Sequence, residues 1–252
     1  MRFVRVSAIF FTVAAVSLWF GWRVRSAVHA QHARVPFMIE YQVFQFDGNG
    51  ARHLTSLETL AVREDGSRAT VSQRMGGTGS AYPGIREVML PSAGVVFAID
   101  PAARIKLTRQ MNQANAKGFV APVSTDCATA NAAPGAQVTC GANVGAFWGQ
   151  RAQPVHVAVQ MGTKSVVRDM LVCPDLDWLP LQITTYADGK MMEQRSVSML
   201  RTGDPDPQLF VVPSDYASAS LPSDFMAAGA KARGSQPSAP NPNLDRAFQS
   251  HK

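Results

Sequence analysis

Cysteine and histidine are scarce in this chain of 252 residues, and neither is spaced for the chemistry it usually carries. The three cysteines, Cys127, Cys140 and Cys173, contain no Cys-x-x-Cys pair, which excludes the usual zinc and dithiol redox motifs. The five histidines, His29, His32, His53, His156 and His251, form neither His-x-x-x-His nor His-Glu-x-x-His, so a histidine metal centre is not expected. Gly-x-Ser-x-Gly is absent as well, and no helix signal follows the Gly76–Ser80 run to turn it into a phosphate cradle. No cofactor is expected. A basic face is missing too, despite a net charge of +6. Arg2, Arg5, Arg23 and Arg25 lie in the first thirty residues, which hold no acid, so the remainder carries 20 basic against 18 acidic residues. That balance argues against nucleic acid as a partner.

The first thirty residues read as a targeting segment. Arg2 and Arg5 precede an uncharged apolar run from Val6 to Trp22, and Arg23 and Arg25 follow it. As a helix this run would extend roughly 25 Å, a little less than a bilayer's hydrocarbon core. Residues 1–30 are therefore a signal peptide or a signal anchor. Val28-His29-Ala30 has the small residues a signal peptidase requires before Gln31, whereas Arg23 and Arg25 argue for retention. Either way the body is expected outside the cytosol, periplasmic or secreted, and it touches a membrane only through this segment if that is uncleaved.

From Phe37 onward the pattern has period two. Phe37, Ile39, Tyr41 and Val43 alternate with Met38, Glu40 and Gln42, which gives a strand with one core face. Asp47-Gly48-Asn49-Gly50 and Glu64-Asp65-Gly66-Ser67 supply turn residues around a second run, Leu54–Arg63, and a return through Ala69, Val71 and Gln73. Ile85–Leu90, Val95–Ile99 and Arg104–Arg109 continue the meander, and strands resume at Val155–Met161, Ser165–Cys173, Leu179–Tyr186 and Met191–Arg201, with Asp188-Gly189 as a hairpin turn. About ten strands in antiparallel order predict a mainly β fold, a strongly twisted sheet or incomplete barrel. The expected domain is 31–216, with an insertion at 110–150 that carries a short helix near Met111–Lys117. Residues 217–252, rich in Ser, Ala, Pro and Asn, are expected to be a disordered tail.

In an oxidising compartment Cys127 is expected to bridge Cys140, closing a loop worth about 3 kcal/mol in the chain-entropy model. Pairing through Cys173, or no pairing, are the alternatives. Phe147 and Trp148, large aromatics in a Gly-rich stretch, are a candidate contact loop, with core packing as the competing reading. Arg63, Arg68, Arg74 and Arg86 are candidates to line one side of the meander and receive an anion. Asp204 and Asp206 lack the Gly and distal Glu of a calcium loop, so no metal site is expected there.

The closing passage is the most specific one: Trp178-Leu179-Pro180-Leu181-Gln182-Ile183, Asp188-Gly189, then Asp204-Pro205-Asp206-Pro207-Gln208-Leu209-Phe210 through Pro213-Ser214-Asp215-Tyr216. Pro205 and Pro207 fix φ and remove two donors, so a strand cannot continue, and Leu209 and Phe210 can fold back on the sheet. Pro205, Pro207, Leu209, Phe210 and Tyr216 are thus a candidate structural latch. The passage resembles the ending of uncharacterised secreted β-rich proteins of acidobacterial type. More distantly the chain is similar to the lipoprotein-carrier (LolA-type) half-barrel group. That resemblance implies a curved antiparallel sheet whose concave face shelters an acyl chain or a partner. It transfers no functional residue, and the cysteine-bearing insertion and shortage of helices depart from it.

These readings lead to a non-enzymatic cell-envelope protein that binds an apolar or amphipathic ligand, a lipid or lipoprotein, on a concave sheet. The alternative is a sensing or interaction module that contacts another envelope protein. A hydrolase would have to rest on Ser80 and His156 alone.

Overall fold

The structure, a computed structural model, describes residues 31–32, 34–75, 81–112, 123–124, 126–132, 135–161 and 164–234. The strands are β1 (Gln31–His32), β2 (Phe37–Phe46), β3 (Arg52–Val62), β4 (Arg68–Met75), β5 (Ala81–Leu90), β6 (Val95–Asp100), β7 (Ile105–Gln110), β8 (Val123–Ser124), β9 (Ala136–Cys140), β10 (Ala146–Phe147), β11 (Gln150–Arg151), β12 (Gln153–Met161), β13 (Lys164–Cys173), β14 (Leu179–Ala187), β15 (Lys190–Thr202) and β16 (Ala217–Ala219). Two helices among the described residues, α1 (Cys127–Asn131) and α2 (Pro222–Ala232), complete the regular structure together with three 3-10 turns. Among the described residues, no helix is long and apolar enough to cross a membrane. The expected targeting segment, residues 1–30, and Ser80 lie outside the described residues, as does most of the helix expected near Met111–Lys117.

Twelve strands form one twisted sheet in the order β16-β7-β6-β5-β4-β3-β2-β15-β14-β13-β12-β9, open at both edges. The chain lays β2 down in the middle, meanders outward through β7, crosses to the far edge, and meanders back from β12 to β15, which pairs with β2. Every pairing is antiparallel except β16 with β7. The turns follow from sequence. Asp47 accepts hydrogen bonds from the backbone N–H of Asn49 and Ala51, closing the β2–β3 hairpin. Asp188 and Gly189 both take positive φ, 49° and 76°, as a two-residue hairpin of the type that matches strand twist demands.

Alternation then sorts side chains. Phe37, Ile39 and Tyr41 are buried in one cluster with Val62, Leu179 and Leu181. On the opposite parity of β2, Met38 packs with Ala61, Ala69, Val88 and Ile99 in another. A third cluster joins Cys127, Val155, Val157, Val172 and Trp178. The described helices sit at the sheet's two ends, α1 on β9 and α2 on β7 and β16.

Two expectations change. Residues 217–234 are structured rather than a disordered tail: Ala217–Ala219 extend the sheet, and α2 buries Phe225. Its anchor is ionic, since Arg233 donates to Asp100 at 2.7 Å, and Asp100 is fully buried. The few apolar residues here suffice because a buried carboxylate on β6 supplies the remaining attachment. The stretch 110–150 is also more than an insertion, because β9 within it extends the main sheet beside β12.

Candidate functional site

Where β13, β14, β15, β2 and β3 run side by side, directly opposed residues share a face. One row across them reads Arg168, Thr185, Glu193, Gln45; the next reads Met170, Ile183, Arg195, Val43, Ser56; a third pairs Val197, Tyr41 and Glu58. Period two therefore places Arg168, Glu193, Arg195 and Glu58 on the face that also carries Ile39 and Tyr41. Arg195 pairs with Glu58 at 2.8 Å, their side chains only 29% and 21% exposed. The Arg195 guanidinium lies 5.4 Å from the centre of the Tyr41 ring, and the Tyr41 hydroxyl donates to the Pro180 carbonyl at 2.6 Å.

Desolvation governs the electrostatics of this row. Burial pushes the Glu193 carboxyl above its ordinary range, an effect opposed by Arg195, reinforced by Glu58 and opposed again by Arg168. Burial lowers the Arg168 pKa, with Glu193 pulling the other way and Arg195 adding to the fall. Tyr41 is raised far above the usual phenol range by its burial. Arg195 Nε is buried with no acceptor among the described residues. Half-buried charges of both signs are a costly way to fill a sheet face, since apolar residues of similar size would often stabilise it more.

The row borders apolar surface on the same face. Phe37, Ile39, Tyr41 and Leu181 form a core onto which β10 places Phe147; Ala152, the residue after β11, also packs there, and the 3-10 turn Pro174–Leu176 adds Leu176. The face thus grades from a closed hydrophobic end to a charged middle.

The residues singled out from sequence are scattered. Cys127 and Cys140 form a disulfide that staples α1 to β9, and Cys173 is a buried free cysteine whose pKa is raised by burial. Phe147 packs inward, while Trp148 is exposed at the tip of the β10–β11 hairpin. Pro205 and Phe210 are buried, Leu209 and Tyr216 are partly buried, and Pro207 is exposed. Leu209, Phe210, Val212 and Tyr216 cover the Ala61, Ala69, Val88 and Ile99 cluster. The Asp206 side chain accepts from Gln208 N–H and so caps the 3-10 turn Pro207–Phe210.

Three of the arginines read as an anion-receiving line are turned elsewhere, and Arg74 is exposed on β4. Arg63 stacks on Phe210 with its guanidinium 4.0 Å from the ring centre, and Arg86 donates to the Gln208 and Val211 carbonyls. Arg68 lies 3.7 Å from Asp177, which is also paired with Arg34. The chain's own closing segment and a buried aspartate take the place of an external anion. His156 is exposed beside Asp169 at 2.7 Å. Asp204 joins Arg63, Glu64 and Asp65 around a shallow open depression of about 400 Å³. Among the described residues no group of three His, Cys, Asp or Glu side chains is arranged to hold a metal.

Sequence reasoning missed Glu58, Arg168, Glu193 and Arg195. The signal was there in part: Glu58 shares the strand parity of buried Val62, and Arg195 that of Val197, so each is a charge at a position the alternation assigns to the core.

No family model matches the chain, and no curated protein matches it in sequence. Solved structures similar to it include PNGF-II, at 11% identity and a TM-score of 0.41 over 79% of this chain. The chain spans about a third of PNGF-II, 33% of its length. An outer membrane lipoprotein-sorting protein domain from Vibrio parahaemolyticus is similar at 10% identity and a TM-score of 0.25, over 70% of this chain and 89% of that one. An exported protein with a YmcC-like fold from Bacteroides fragilis is similar at 9% identity and a TM-score of 0.27, over 69% and 97%.

Proposed function

We propose that this chain is an extracytoplasmic, non-enzymatic binding module that takes an amphipathic ligand on the sheet face bearing Glu58, Arg168, Glu193 and Arg195. The observation that carries the reading is the half-buried row of charges set beside the Phe37, Ile39 and Leu181 cluster. An ionised head would exchange hydrogen bonds with the row, where low effective dielectric strengthens them. An apolar tail would run from the row along the partly buried Leu60, Val197 and Leu200, which border the closed cluster. The export signal expected over residues 1–30 supports a location of this face outside the cytosol.

The test is a titration of the full chain with a fluorescent long-chain fatty acid and with a fluorescent zwitterionic lysolipid, followed by anisotropy. Saturable binding that weakens at least tenfold in Glu58→Gln/Arg195→Gln, with the fold retained, supports the reading. Absence of saturable binding, or equal binding by the variant, refutes it. Crosslinking in intact cells that recovers a protein at this face instead would support the interaction module.

A further inference from the structure

The loop from Gly141 to Gln150, Gly-Ala-Asn-Val-Gly-Ala-Phe-Trp-Gly-Gln, contains no charged residue. Only Phe147 and Gln150 in it are even partly buried; Val144 is 64% exposed and Trp148 48%. Trp148 and Gly149 form the two-residue tip of the β10–β11 hairpin with φ of 54° and 70°. A large L side chain in the left-handed region is strained, and asparagine or glycine is the residue such a tip ordinarily uses. The hairpin nonetheless turns Phe147 into the core and holds the indole out in solvent. It is a firm mount: Val144 N–H donates to Ala152 O at 3.0 Å and Ala152 N–H to Gly145 O at 3.1 Å.

The place of this tip matters more than its composition. Arg151 of the same hairpin pairs with Asp175 at 2.5 Å, and Asp177, two residues on, pairs with Arg34 where the chain enters the sheet. Ahead of Arg34, β1 pairs with β8, β8 lies against α1, and the Cys127–Cys140 disulfide ties α1 to the residue just before Gly141. The entering chain and the aromatic tip thus share one end of the domain. In sequence the apolar run ends at Trp22, and nine residues to Gln31 reach at most about 30 Å. The opposite end of the sheet presents the polar turns Asp47–Ala51 and Asp188–Gly189.

We propose that the Val144–Trp148 loop is a membrane-contact element that seats the Trp148 indole at the headgroup level of the bilayer to which the N-terminal segment directs the chain. Tryptophan suits that depth because its ring is apolar and its N–H can stay hydrated. An uncharged loop enters without stripping water from an ion. One such contact is weak alone and becomes effective beside a tether, which raises its local concentration at the surface. The partner is a lipid surface rather than a protein because, with the N-terminal segment retained as an anchor, only nine residues separate its apolar run from Gln31 at this end of the domain.

The test uses the full chain with its N-terminal segment, reconstituted in dioleoylphosphatidylcholine vesicles and labelled with bimane at Trp148→Cys, at Val144→Cys or, on the far hairpin, at Asn49→Cys. The parent chain, treated identically, controls for labelling of Cys173. Quenching by lipids spin-labelled near the headgroup that is at least threefold greater at 144 and 148 than at 49 is the expected result. Equal quenching at all three sites overturns the proposal, and so does a bimane shift at 148 that appears with added envelope proteins but not with vesicles. Ligand binding by the charged face is read separately by anisotropy, so either reading can fail alone.

Discussion

Truncating Phe210 to alanine tests whether the segment after β15 holds the sheet together. Phe210 is 7% exposed, rests on Ala61, Ala69, Val88 and Ile99, and carries the Arg63 guanidinium on its ring. A buried Phe→Ala change costs about 3–5 kcal/mol. Here the site lies over small alanines and under a surface segment that can partly collapse, which favours the lower end, about 3 kcal/mol including roughly 0.5–1 kcal/mol of lost cation–π attraction. For a chain of this size that corresponds to roughly 6–12 °C in Tm. Arg63→Leu removes only the cation, so about 1 kcal/mol or less is expected from it. Urea denaturation with the disulfide intact measures both, and hydrogen exchange locates the loss. If Phe210 closes the face as a latch, amides of β4 and β5 beneath it lose protection together with residues 207–216. A Phe210→Ala chain within about 1 kcal/mol of the parent would refute the latch reasoning, because burial on this face would then carry no weight.

Other perturbations separate the remaining forces. Replacing Cys127 and Cys140 with alanine should cost about 3 kcal/mol on the chain-entropy model, seen as a lower urea midpoint. Arg233→Ala leaves Asp100 buried with only the Ala102 and Ala103 N–H groups, and should cost about 2 kcal/mol and release α2 to proteolysis. Glu193 has a folded-state pKa raised above its unfolded value, so its ionisation destabilises the fold as pH rises through that window. Glu193→Gln should therefore raise Tm at neutral pH relative to the parent, with the gain vanishing below the unfolded carboxylate pKa; a difference that grows on acidification would contradict the desolvation argument. Gly84→Ala would drive a Cβ into the Ser72 carbonyl where β4 meets β5, and should lower Tm; an unchanged melt would show that the strands can part there.

The sequence by itself determined the strands and most of their partners. Period-two alternation is a local property, and turns such as Asp47–Gly50 and Asp188–Gly189 carry their conformational preference in their own side chains, so Phe37–Phe46, the meander and the returning hairpins can be read directly. The Cys127–Cys140 bridge was legible in part, as the favoured one of three possibilities. Only tertiary structure decided that β2 and β15, about 150 residues apart, lie side by side at the centre of the sheet, because strand neighbours across a long connection leave no periodic trace. The charged row depends on that pairing: Glu58 and Arg195 meet only once β15 is laid against β2 and β2 against β3. The order of residues 217–234 was hidden for a related reason. A tail poor in apolar residues cannot fold alone, and its stability comes from Asp100 and the edge of β7, groups more than a hundred residues away.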